Sequence, residues 1–152
     1  LEYDILQSYL LIAEYCSLKK EPDWNYINDC IEKAKSMGYT DDSYIMSRIK
    51  YTEAISLFEQ KKHDEAEKQI TEAEDLLLQQ IKEGGAMYPP ETFYSDESAY
   101  ANLHSKILQS KGDYKEALKY NRRKNDLKLK MRNIETRELE YLYNTEKEER
   151  KI

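Results

Sequence analysis

The sequence predicts an all-helical chain, on three observations. Apolar residues recur at steps of three and four along nearly the whole length, the spacing that gathers one face of an α-helix. Only 4 Gly and 3 Pro occur in 152 residues, too few for the turns of a β-sandwich or barrel. Glu, Lys and Leu are abundant helix formers, and Val is absent. The longest uninterrupted apolar stretch, Tyr9 to Ala13, falls far short of the roughly 20 residues of a membrane-spanning helix.

The elements follow in order. Leu6, Leu10, Ala13 and Leu18 mark a first helix over about 2–19, broken by Pro22. Asp23 can cap a second helix carrying Trp24, Ile27, Ile31 and Ala34, with Gly38 as its stop. Asp41 or Asp42 caps a third, with Tyr44, Ile45, Ile49, Ala54, Leu57 and Phe58. After a polar turn at Lys61 to Asp64, a fourth helix holds Ala66, Ile70, Ala73, Leu77 and Ile81 and ends at Gly84-Gly85. Ala86 to Ser95, with Pro89-Pro90, is expected to be the one substantial loop. A fifth helix covers about 96–111, and a sixth starts near Tyr114 with no Gly or Pro before Ile152.

Charge and cysteines set outer bounds. The net charge of −6 disfavours nonspecific nucleic-acid binding, and no direct nucleic-acid binding by this chain is expected. Residues 119–132 nonetheless carry seven basic side chains and one acidic one. Lys119, Arg122, Arg123, Lys124, Lys128, Lys130 and Arg132 fit a solvated helix face paired with Glu116, Asp126 and Glu135. The alternative is contact with an anionic lipid or nucleic acid. Cys16 and Cys30 fit buried free thiols or a single bridge between neighbouring helices. With no initiator Met and an end inside a charged helical pattern, the chain reads as a piece of a longer protein.

Internal spacing suggests a repeat. Ala54 is followed 12 residues later by Ala66 and 7 later by Ala73; Ser105 is followed 12 later by Ala117 and 7 later by Lys124. The first pair shows Ala13, Ile27 after 14 and Ala34 after 7. Small residues at such places let two antiparallel helices approach closely. The turn Gly112-Asp113-Tyr114-Lys115-Glu116-Ala117 matches Lys62-His63-Asp64-Glu65-Ala66.

These residues resemble the tetratricopeptide repeat family over about residues 5–130. The resemblance implies a right-handed superhelix of three antiparallel helix pairs, about 2–37, 41–83 and 96–132, with an extended C-terminal helix over 133–152. The consensus Trp and Gly of the first helix and the closing Pro are missing, and Lys124 stands where a small residue is usual. Glu138-Leu139-Glu140 and Tyr143-Asn144-Thr145-Glu146-Lys147-Glu148-Glu149 are similar to the segment after the repeats in bacterial tetratricopeptide sensor-regulators. That likeness implies signal transduction with an output domain outside this chain, on the periplasmic side of a membrane-anchored regulator, the cytoplasm being the alternative. A 4-3 pattern (Leu127, Met131, Ile134, Glu138, Tyr141, Thr145, Glu148, Ile152) allows a coiled-coil start, hence a homodimer through the C-terminal helix.

No catalytic constellation is found, so no enzyme, cofactor or metal is expected. Gly84-Gly85 leads into Ala-Met-Tyr-Pro-Pro, not a phosphate-cradling Lys-Ser/Thr. His63 and His104 lack ligands at metal spacing; His63 is expected in a solvated turn and His104 as a hydrogen-bonded core residue. Fourteen tyrosines are the unusual feature. The resemblance implies that the first helix of each pair lines a concave groove. The partner-binding set is then Arg48, Tyr51, Ile55 and Phe58 in the second pair and Ala99, Asn102, Lys106 and Gln109 in the third, with Gln7, Leu10 and Glu14 in the first. Rigid rings with cationic and amide tips suit a peptide; packing between repeats is the other reading of Tyr51 and Phe58. The expected function is protein or peptide binding in a regulator's sensing region. The alternative is a free-standing scaffold, adaptor or dimerisation module.

Overall fold

The computed structural model describes residues 1–84 and 87–151, and among these the chain is all-helical with no strand. Six helices follow one another: α1 (Glu2–Ser17), α2 (Trp24–Lys35), α3 (Ser43–Glu59), α4 (His63–Gly84), α5 (Tyr94–Ser110) and α6 (Tyr114–Arg150). The expected loop between α4 and α5 is shorter than the sequence suggested. Pro90–Phe93 forms a 3-10 turn that runs into α5, with Phe93 buried beneath it. Pro90 supplies a preset φ at the turn's first position, so the two prolines start a helical segment here rather than exclude one. Gly85, Ala86 and Ile152 lie outside the described residues.

Capping explains where the helices begin. Asp23, Asp42 and Asp113 each accept a backbone N–H three residues on: from Tyr26 at 3.2 Å, Ile45 at 3.0 Å and Glu116 at 3.4 Å. Between the two candidate caps of α3, therefore, Asp42 does the capping. The α3–α4 and α5–α6 turns share one geometry. The Lys62 N–H bonds to the Leu57 carbonyl and the Asp113 N–H to the Leu108 carbonyl, both at 2.9 Å, closing the last turn of the preceding helix. Each needs a left-handed residue just before the donor. Gly112 supplies it at φ 83, whereas Lys61 is held there at φ 63.

Packing follows the 12-and-7 spacing. α1 packs on α2, α3 on α4 and α5 on α6; α3 also lies against α1 and α2, and α5 against α4. Ala13, Ile27, Ala34, Ala54, Ala66 and Ala73 are all fully buried at these crossings. In the third pair the Ser105 hydroxyl donates to the Ala117 carbonyl at 2.9 Å, a bond that forms only where two helix backbones nearly touch. One apolar cluster joins α1, α2 and the first half of α3. A second joins the rest of α3 to α4, Phe93 and α5. Cys16 and Cys30 are both free thiols. Beyond Ile134 every described residue of α6 is exposed. No helix among the described residues is long and apolar enough to cross a membrane.

Candidate functional site

Each of the first two helix pairs presents a groove into which the next helix settles, and the predicted binding residues mostly belong to such grooves or to the corresponding one of the third pair. In the second pair Tyr51, Ile55 and Phe58 are half-buried and pack on the cluster that includes Tyr100, Leu103 and Ile107 of α5. Tyr51 stacks on Tyr100 with ring centroids 4.7 Å apart. Burial, with the nearby Glu14 carboxylate, pushes the Tyr51 phenol up to about 12, while Arg48 pulls the other way. Phe58 lies 5.7 Å from the His63 ring. His63 is the half-buried first residue of α4 rather than a solvated turn residue, because the turn ends two residues earlier than expected.

In the third pair no helix among the described residues fills the corresponding groove. Asn102, Lys106 and Gln109 line a cavity of about 420 Å³ between α5 and α6, together with Tyr114, Leu118 and Asn121. Lys106 and Gln109 are exposed, and Asn102 accepts a bond from Lys124 Nζ at 3.3 Å. A shift of 51 residues maps Tyr51, Ile55, Phe58, Ile70 and Ala73 onto Asn102, Lys106, Gln109, Asn121 and Lys124. The same positions are apolar where a helix covers them and polar where none does.

Arg48 lies apart from both grooves. Its guanidinium reaches Asp96 Oδ1 on α5 at 3.3 Å and Glu14 Oε1 on α1 at 3.7 Å. The Tyr44 hydroxyl donates to Asp96 at 3.1 Å and the Thr52 hydroxyl to Glu14 at 2.9 Å. Burial raises the Glu14 carboxyl above its ordinary value despite Arg48 and Thr52. Burial alone would lower Arg48, but Glu14 and its other anionic neighbours outweigh it and leave the guanidinium raised. The arrangement is a polar spine across the first helices of all three pairs. Arg48 is held within it, its side chain 16% exposed.

A second concavity escaped sequence reasoning. Tyr3, Tyr39, Tyr44, Tyr88 and Phe93 line a cavity of about 510 Å³ where the start of α1, the α2–α3 turn and the 3-10 turn meet, with Gln80 of α4 at its wall. The Tyr44 and Phe93 rings lie 5.6 Å apart and form its floor. Abundant tyrosine was the only signal, and no local spacing marks four residues spread from 3 to 88 as neighbours.

His104 is buried. Its Nδ1 lies 2.5 Å from Glu74 Oε1 and its ring stacks on Tyr120 at 3.9 Å, so both faces of its chemistry are engaged inside the chain. Among the described residues no three His, Cys, Asp or Glu side chains cluster as a metal site. In the basic stretch, Lys119 pairs with Glu116, Arg123 with Glu97, and Lys130 sits over the Tyr94 ring. No family model, no curated protein and no solved structure matches this chain.

Proposed function

We propose that this chain is a tetratricopeptide-like module that binds a helical segment of a partner protein in the groove between α5 and α6. The observation that carries it is the groove itself, a concavity of about 420 Å³ between α5 and α6. The equivalent grooves of the first two pairs are each filled by a helix of the chain, whereas the third, lined by Asn102, Lys106, Gln109, Asn121 and Lys124, holds none among the described residues. Leu118 and Tyr114 supply an exposed apolar rim, while Lys106 and Lys124 supply positive charge. The fitting ligand is an amphipathic helix with one apolar row and one acidic row. A right-handed superhelix of the three pairs is the arrangement this reading assumes.

In the regulator reading, occupancy of the groove biases α6, which forms one of its walls, and α6 carries the change outward along its exposed last turns. The ligand's differential affinity for two positions of α6 must supply the shift. An array that merely ends in a polar face, as terminal repeats do for solubility, is the rival. Anisotropy titrations with a library of amphipathic peptides separate the two. The reading expects binding by acidic-apolar helices that Lys106→Glu and Leu118→Glu each weaken at least about tenfold, or about 1.4 kcal/mol. Absence of binding, or binding that survives both substitutions, overturns it.

A further inference from the structure

The opposite end of the array carries the feature least explained by the chain itself. α1 buries Leu6, Leu10, Ala13 and Ser17 against its neighbours, yet its outer side is also apolar. Leu11 is 55% exposed, Tyr15 70% and Leu18 66%, with Ile5 and Ile12 beside them. A helix that is apolar on both sides is normally covered on both.

The pattern on that outer side is self-complementary. Asp4, Ser8, Leu11, Tyr15 and Leu18 follow four- and three-residue steps along one face, flanked by Ile5 and Ile12. Laid antiparallel on a second copy, with Leu11 facing Ile12, the face sets Ser8 against Tyr15 and brings Ile5 and Asp4 to Leu18 and Lys19, the C-cap of α1 and the residue after it. Small meets large, apolar meets apolar and acid meets base, each pairing occurring twice by symmetry. Lys19 already lies over the Tyr15 ring, Nζ 5.5 Å from its centroid, at the edge of this face. Asp4 has no ionic partner among the described residues.

We infer that the outer face of α1 is an isologous interface, on which two copies of this chain pair through antiparallel α1 helices. The α5–α6 end of a second copy is the poorer occupant. Its groove offers Asn102, Asn121 and Lys124 where an apolar helix would need apolar walls. One helix–helix crossing buries less than the roughly 1,200 Å² of a standard interface, so the dimer is weak.

Sedimentation equilibrium of the whole chain, from about 10 to about 500 µM, tests the inference in the range where weak association shows. The expected result is a weight-average mass rising toward twice the monomer. Leu11→Glu and Tyr15→Glu should each hold it at the monomer, with circular dichroism unchanged because both side chains are exposed. Asp4→Lys and Lys19→Asp should each weaken the dimer several-fold, and the two together should restore it. A monomer at every concentration overturns the inference and leaves the face to a partner of another kind. So does a dimer that ignores these substitutions but is lost on Leu118→Glu or on removal of residues 135–151, or a charge swap that fails to restore association.

Discussion

The grooves of the second and third helix pairs are built to one plan and meet opposite fates. Both have a small residue at each crossing, Ala54 with Ala66 and Ser105 with Ala117, and both close with the same backbone bond at the turn. The second groove is lined by Tyr51, Ile55, Phe58, Ile70 and Ala73 and is covered by α5. The third is lined by Asn102, Lys106, Gln109, Asn121 and Lys124 and is open. Backbone register therefore sets where a groove lies, whereas the side chains along it decide whether an apolar helix can fill it at a net gain. The Arg48 spine adds a second difference. Polar groups also link α1, α3 and α5, but only through carboxylates that each find a partner.

The strongest way to break the comparison is to empty the covered groove. Tyr100 is fully buried, stacks on Tyr51 and shares a 2.7 Å hydrogen bond with Ser47. Tyr100→Ala should cost about 3–5 kcal/mol in denaturant unfolding, with the larger part lost from the α3–α5 contact. A cost under about 1 kcal/mol would mean that α5 does not depend on that groove. The converse change makes the open groove resemble the covered one. Asn102→Tyr, Lys106→Ile and Gln109→Phe together should drive the chain into higher assemblies. Light scattering at about 10 µM, where a weak wild-type contact is mostly dissociated, would show it. A monodisperse monomer would show that polarity is not what keeps the third groove open.

The turns allow a smaller and opposite test. Lys61 occupies the left-handed position that Gly112 fills in the next pair. Lys61→Gly should stabilise the chain by up to about 1 kcal/mol, since the Cβ penalty exceeds the entropy cost of glycine there. Gly112→Ala should destabilise by a similar amount, although open space surrounds the position, because the strain lies in φ and not in a clash.

The smallest expected effect is electrostatic. Burial raises the folded-state pKa of Glu14 above 4.5, so the folded chain holds that proton more tightly than the unfolded chain does. The associated stability is complete at low pH and is lost as pH climbs through the raised value. Relative to Glu14→Gln, the wild type should therefore weaken as the pH rises above about 4.5, read from melting temperatures in matched buffers. A parallel pH dependence in both proteins would remove Glu14 as the cause.

Much of this structure was legible in the residues, and the limits are physical. The aspartate caps of α2 and α3 and the glycine stop at 38 are local signals whose partners lie within a few residues, so the helix order and most boundaries followed from such signals. The 12-and-7 spacing of small residues located the crossings, since a close approach needs a missing side chain on both helices. The 3-10 turn at Pro90–Phe93 was missed because it forms over a buried Phe93, and that burial depends on α3 and α4. Lys61 gave no hint of its left-handed backbone, as nothing in its type favours one.

The chain's own sequence determined an all-helical array with its pairs in register, because capping and amphipathic periodicity act over one or two turns. The tertiary structure alone decided which of the repeated grooves is filled, and that Arg48 is held between Glu14 and Asp96. It alone gathered Tyr3, Tyr39, Tyr44 and Tyr88 around one cavity. These are meetings between residues up to 85 positions apart, and no local rule of helix formation selects among them; the packing of whole helices does.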